Sequence, residues 1–292
     1  MKYCICASGY LGLIVLKQLV EKGIDIVCVF TSKQSDEIVR YIEEHGLKVF
    51  VGNPREGKGF AWIKENGFEF DGILSINYLF LLEGDILSLA KNAAVNFHGS
   101  LLPKYRGRTP HVWAIINGEK ESGITAHLMN EECDEGDIVK QLVVPIDYED
   151  TGADILSKYK ALYPGLVMSV IEDLEAGKLK HTRQDTTKAT FFGKRTPEDG
   201  EINWDWQKER IRNWVRAQAN PYPGAFTYLD GHKVVINRIT YSDAGFVDTM
   251  TNGSVISLHD AKPLVKVQNG VIVLDNYVCD VEIKEGVVFQ SK

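Results

Sequence analysis

Over its first hundred residues the chain alternates short apolar runs with helical patterns, a rhythm that admits few folds besides a parallel sheet flanked by helices. Lys2–Ala7, Ile24–Thr31, Leu47–Val51, Asp71–Ser75 and Ala93–Phe97 read as strands, with helices near Leu11–Lys22 and over Asp36–His45. The pattern then changes. Gly123–Met129 and Ile138–Ile146 read as strands joined by the polar hairpin segment Asn130–Asp137. A helix follows from Ala153 to Leu174, with Leu156, Tyr159, Leu162, Leu166, Val170 and Leu174 at helical spacing. Pro164-Gly165 is expected to kink or split it. His181–Gly200 is polar and aperiodic, and the boundaries expected are a domain over 1–182, a linker over 183–200 and a smaller domain over 201–292. That last part pairs a helix (Glu209–Ala219) with strands at Ala225–Leu229, Lys233–Ile239, Ser254–Leu258, Leu264–Val267 and Val271–Leu274. Asp230-Gly231, Asn252-Gly253 and Asn269-Gly270 supply its turns. The fold class expected is α/β: a Rossmann-like, mostly parallel sheet with a smaller helix-plus-β domain.

Composition narrows the class. With 44% hydrophobic and 25% charged residues, the chain has the balance of a globular protein, which excludes disordered and collagenous readings. Its five cysteines (Cys4, Cys6, Cys28, Cys133, Cys279) are odd in number and mostly lie in apolar runs, as reduced thiols of a cytoplasmic protein do. No apolar run approaches the ~18 residues of a membrane span. The net charge of −7 is the wrong sign for a nucleic-acid binder.

Ala7-x-Gly9-x-x-Gly12 after the first strand invites a dinucleotide-binding reading. That motif also needs an acid at the end of the second strand to hold the ribose. Here the strand ends Phe30-Thr31-Ser32-Lys33, which disfavours a nicotinamide-dependent oxidoreductase and leaves a close-packed strand-to-helix turn. Chemistry concentrates further on. Asn96 and His98 stand two apart at the end of an apolar strand, so their side chains share one face. In parallel sheets ligands collect at that carboxyl end. Asp134, in Cys133-Asp134-Glu135-Gly136-Asp137, is on its own only an acid in a hairpin loop, where turn-forming and solvation are the ordinary roles.

Taken together these segments resemble the formyltetrahydrofolate-dependent formyltransferases. Their signature is Asn-x-His, then Ser-Leu-Leu-Pro-x-x-Arg-Gly-x-x-Pro, a Thr-Gly-x-Thr-like strand and an Asp-x-Gly loop. It stands here as Asn96, His98, Ser100–Pro103, Arg106-Gly107, Pro110, Gly123-Ile124-Thr125 and Asp134-Glu135-Gly136, with Ser122 in place of threonine. The resemblance implies a catalytic trio of Asn96, His98 and Asp134 and N10-formyltetrahydrofolate as formyl donor; no metal is expected, because His98 and Asp134 lack a third or fourth ligand at a metal spacing. Asn96 would donate to the tetrahedral oxyanion. His98 would take or relay the amine proton, and Asp134 would orient or charge-stabilise it; the division among the three stays open. The folate wall is expected at Ser75, Asn77, Tyr78, Leu79, Phe80 and Leu81.

Transfer to methionyl-tRNA is one activity of the family. Those enzymes carry a basic glycine-rich insertion after the second strand and a basic C-terminal domain. Here Phe30–Asp36 passes straight into a helix, and residues 193–292 hold 12 Lys+Arg against 13 Asp+Glu, a net charge of −1. A polyanion needs a basic face. The chain is more similar to the sugar N-formyltransferases, which implies a nucleotide-linked amino sugar as acceptor, for surface polysaccharides such as O-antigen. Arg106, Lys194, Arg195 and Tyr222 are the candidates to hold it. An inactive folate- or sugar-binding module is the remaining alternative, and Thr251–Val288 is a candidate homodimer surface.

Overall fold

A computed structural model describes residues 1–291, which divide into two compact units. The first comprises residues 1–107, 122–144 and 158–192; the second comprises 108–121, 145–157 and 193 onward. This partition is more interleaved than a single linker over 183–200.

In the first unit β1 (Lys2–Ala7), α1 (Gly9–Glu21), β2 (Asp25–Thr31), α2 (Asp36–Glu44), β3 (Val49–Val51), α3 (Lys58–Glu65), β4 (Phe70–Ile76), α4 (Gly84–Leu87) and β5 (Ala90–His98) alternate as the apolar rhythm predicts. The short β6 (Arg106–Gly107) follows, and after α5 (Pro110–Ile116) of the second unit the chain returns in β7 (Glu121–Leu128) and β8 (Ile138–Pro145). The seven-stranded sheet has the order β3-β2-β1-β4-β5-β7-β8. Neighbours from β3 to β5 are parallel, and β7 runs antiparallel to β5. The class is therefore α/β, mostly parallel. Beneath the sheet Cys4, Cys6, Cys28, Phe30, Ile63 and Ile73 form a buried cluster, so those thiols act as small apolar groups. Gly12 allows close packing: a Cβ there would stand 3.1 Å from that of Ala7, so α1 and β1 would have to part by a few tenths of an ångström.

Helix α6 (Gly152–Glu175) runs unbroken through Pro164, where a kink or split is expected. Apolar anchors on both sides hold it: Tyr159 and Tyr163 before or beside the proline, and Leu166, Val167 and Val170 beyond it, are buried. Leu162, expected on this face, is exposed at 38%, and Tyr163 and Val167 take the core positions. The expected linker also carries structure, since β9 (Phe191–Phe192) pairs with β6 in parallel.

The second unit contains α5, α7 (Lys208–Ala217), β10 (Ala225–Leu229), β11 (His232–Ser242), β12 (Val255–His259), β13 (Lys262–Val267) and β14 (Gly270–Val278). Its strands form an antiparallel sheet of order β10-β11-β14-β13-β12. Ile211, Trp214 and Val215 give α7 its buried face. No described helix is long and apolar enough to cross a membrane.

Candidate active site

The parallel pairing of β4 with β5 sets Ser75 beside Asn96, and the antiparallel pairing of β5 with β7 sets Asn96 opposite His127 and His98 opposite Thr125. Strand alternation then turns Asn96, His98 and His127 toward one region. The loop after β7 brings in Asp134, a non-glycine residue at φ +58.

One carboxylate oxygen is the centre. Asp134 Oδ1 lies 3.4 Å from Asn96 Nδ2, 3.5 Å from His98 Nδ1 and 3.4 Å from His127 Nε2. Its Oδ2 accepts the Gly107 N–H at 2.9 Å. The trio that the sequence singles out is thus brought together, with a fourth member, His127.

Outer contacts assign the ring protons. His98 Nε2 stands 2.8 Å from Tyr105 O, and His127 Nδ1 stands 2.8 Å from Leu128 O. A carbonyl only accepts, so each of these nitrogens carries its hydrogen. In the neutral rings the lone pairs at His98 Nδ1 and His127 Nε2 consequently face inward. His127 Nε2 accepts from Asn96 Nδ2 at 3.1 Å; His98 Nδ1 faces only the Asp134 carboxylate among these groups. Burial holds the His98 pKa below the ordinary imidazole range, although Asp134 and the Tyr105 carbonyl pull it up. Burial also pushes Asp134 upward, but His98, His127 and the Gly107 N–H outweigh it and keep the carboxyl well below its usual range. At neutral pH the Asp134 carboxylate therefore faces a neutral His98, poised to gain a proton at Nδ1.

The loop is pinned from behind. Gln184 donates through Nε2 to Asp134 O at 2.8 Å and Gly136 O at 2.7 Å, while its Oε1 accepts from Arg106 Nη2 at 2.8 Å and Nε at 3.3 Å. Arg106 Nη1 donates to Glu135 at 2.7 Å. Arg106, expected to meet substrate, is thus buried, with Nη1 engaged by the loop and Nε and Nη2 engaged by Gln184. Gln184→Leu would strand these buried groups at about 1–3 kcal/mol apiece. We expect a net loss of about 2–4 kcal/mol in urea unfolding; an unchanged midpoint would show that Gln184 is not a brace.

Sequence reasoning missed His127 and Gln184. His127 stands two residues after Thr125, so strand alternation alone puts both on one face. Gln184 lies in an aperiodic polar stretch that carries no comparable signal.

The expected folate wall follows β4. Ser75 is buried, Tyr78, Leu79 and Phe80 are half-buried, and Asn77 and Leu81 are exposed. Asn77 is left-handed at φ +53 and donates to Ser8 O at 2.9 Å. The Tyr78 and Phe80 rings meet edge-on at 5.6 Å.

The other candidates belong to the second unit. Arg195 lies over Trp113 and Trp214, 5.0 and 4.4 Å from their ring centres, and donates to Asp199 O at 2.7 Å. Tyr222 Oη stands 2.8 Å from His111 Nε2. Burial pushes His111 down to about 4 and Tyr222 up to about 12, which keeps both neutral at neutral pH. Lys194 is exposed. Among the described residues no three His, Cys, Asp or Glu side chains are grouped to hold a metal ion.

The sheet order defines a Rossmann-like α/β fold that carries this site where β5 meets β7. The chain belongs to the formyl transferase family, matching it over residues 7–171 and the family's C-terminal domain over 194–278. It is similar in fold to WlaRD, a sugar 3N-formyl transferase solved with dTDP and 5-N-formyl-THF, at 18% identity and TM-score 0.73, covering 97% of this chain and 99% of that one. An N-formyltransferase from Helicobacter canadensis, solved with folinic acid and dTDP-3-aminofucose, matches at 18% identity and TM-score 0.72, over 94% and 98% of the two chains. A methionyl-tRNA formyltransferase from Clostridium thermocellum matches at 20% and TM-score 0.59, over 92% and 100%.

Proposed function

We propose that this formyltransferase moves the formyl group of N10-formyltetrahydrofolate onto the amino group of a nucleotide-linked amino sugar. The observation that carries the chemistry is the inward lone pair of His98 Nδ1 beside the Asp134 carboxylate. As the acceptor nitrogen bonds to the formyl carbon, its proton passes to that lone pair. The imidazolium so formed is held by Asp134, and the proton returns to N10 as the carbon–N10 bond breaks. An Asn96 Nδ2 hydrogen released from its 3.4 Å contact with Asp134 can serve the developing oxyanion. The half-buried apolar residues Tyr78–Phe80, just beyond the strand that sets Ser75 beside Asn96, suit the flat face of a pterin. Lys194, Arg195 and Tyr222 are the proposed diphosphate and base contacts, and Arg106 acts through the loop it braces.

The sugar acceptor is supported by the nucleotide-sugar ligand of a fold neighbour and by the −1 charge of residues 193–292, which suits a compact diphosphate better than a polynucleotide. The test is a panel of nucleotide-linked amino sugars incubated with N10-formyltetrahydrofolate and weighed for a gained formyl group. The matching free amino sugar should show a kcat/KM about 10²-fold lower or worse, because the remote diphosphate anchors the amine. Efficient formylation of initiator methionyl-tRNA, with no sugar gaining mass, would overturn the acceptor and leave the transfer chemistry standing.

A further inference from the structure

Within the second unit, α7 and β11 border an open cavity of ≈ 240 Å³ whose lining includes Arg212, Arg216, Arg238, Asn237, Thr151 and Glu149. Three guanidinium groups around one cavity stand out in a chain of net charge −7. Arg212 and Arg216 are four apart on one helix, a spacing at which like charges destabilise the helix. Burial, followed by the charge of Arg212, lowers the Arg216 pKa. Arg238 arrives by a different device. The register of β11 with β14 shifts on both sides of it. A bulge of this kind re-aims side chains, and here the successive residues Asn237 and Arg238 line the same cavity, where a regular strand would send them to opposite faces.

The protein meets this positive charge only in part. Arg212 Nη2 donates to Tyr148 O at 2.7 Å and to Glu149 at 3.0 Å, and Arg216 donates to Asp150 O at 2.7 Å, Asp147 O at 3.3 Å and Asn213 at 2.9 Å. Among the described residues, Nε and Nη1 of Arg212, Nη2 of Arg216 and the whole Arg238 guanidinium have no hydrogen-bonding partner. Glu149 is the one carboxylate in the lining, and its side chain is 70% exposed. Guanidinium forks with spare donors match the paired oxygens of a phosphoryl group.

We propose that this cavity is an anion site that takes the phosphate or diphosphate group of a small phosphorylated ligand. The volume falls below the ~300–1,000 Å³ of pockets that enclose drug-sized molecules. It therefore admits the charged group and leaves any attached base or sugar outside.

The experiment titrates the full chain calorimetrically with inorganic phosphate, pyrophosphate and dTDP at constant ionic strength, in wild type and in Arg238→Gln. Arg238 is exposed and makes no hydrogen bond in the fold, so the variant should melt with wild type when no ligand is present. Pyrophosphate affinity should fall about tenfold with the loss of one charge-assisted contact. Pyrophosphate should also raise the melting temperature of wild type more than that of the variant. A parallel fall for dTDP identifies a nucleotide-borne diphosphate as the occupant; a fall for phosphate and pyrophosphate alone identifies the free anion. Equal affinities for every probe in wild type, Arg238→Gln and Arg216→Gln, or no saturable binding at millimolar concentration, overturns the proposal. None of these readouts depends on formyl transfer, so the result stands apart from the acceptor assignment.

Discussion

Asp134→Asn is expected to lower kcat by about 10²–10⁴-fold, the usual range for losing acid–base assistance, while the protein stays folded. The amide keeps the size of the carboxylate and an oxygen that can accept the Gly107 N–H, so the loop retains its geometry. What it loses is the negative charge that, in the proposed transfer, stabilises His98 as imidazolium. Asp134 raises the His98 pKa against burial, so its removal leaves burial unopposed and lowers that pKa further. The acid limb of the kcat/KM profile, where His98 must be unprotonated to accept the amine proton, should accordingly move to lower pH. His98→Asn should lose rate to a similar degree and abolish that limb. Losses below tenfold in both variants, measured by release of tetrahydrofolate, would remove the pair from the chemistry.

The second large effect is expected from the smallest change. A Cβ at Gly136 would be driven into the backbone carbonyl of Leu128, and little there can yield. The Leu128 N–H is bonded to Asp137 O at 2.8 Å, and Gly136 O is held by Gln184. Overpacking usually costs about 1–3 kcal/mol where side chains can shift. Here the clash is with main chain, and about 3 kcal/mol or more is expected for Gly136→Ala. Urea unfolding should show a markedly lower midpoint, and residual folded enzyme should turn over poorly because the displaced loop carries Asp134. A variant as stable and active as wild type would mean that the hairpin loop relaxes freely and does not hold the carboxylate in place.

Legibility in the sequence followed the range of the forces involved. The βα rhythm and the shared face of Asn96 and His98 are local, set by strand and helix periodicity, and the fold displays both. Tyr163 and Val167 displaced Leu162 from the core because the residues on either side of a proline do not reveal which of them the sheet will cover. Alternation with Thr125 sets the face of His127, but its place in the site comes from pairing with a strand about thirty residues away, which alternation does not specify. Gln184 is remoter still: it reaches Asp134 across fifty residues of sequence from a stretch that reads as linker. Buried Arg106 is likewise engaged by Gln184 and Glu135 together, whereas its charge alone suggested a contact with the acceptor.

The antiparallel junction of β5 with β7 has a consequence for how activity and folding are linked. Asn96 faces His127 only in one alignment of these strands. A slip of a single residue would turn His127 to the opposite face and carry the Asp134 loop along with it, yet the sheet would keep nearly all its hydrogen bonds. Such a misaligned chain would look native to circular dichroism and be inert as a catalyst. Turnover per molecule is therefore a measure of correct strand alignment, and in refolding experiments recovered activity should lag behind recovered secondary structure.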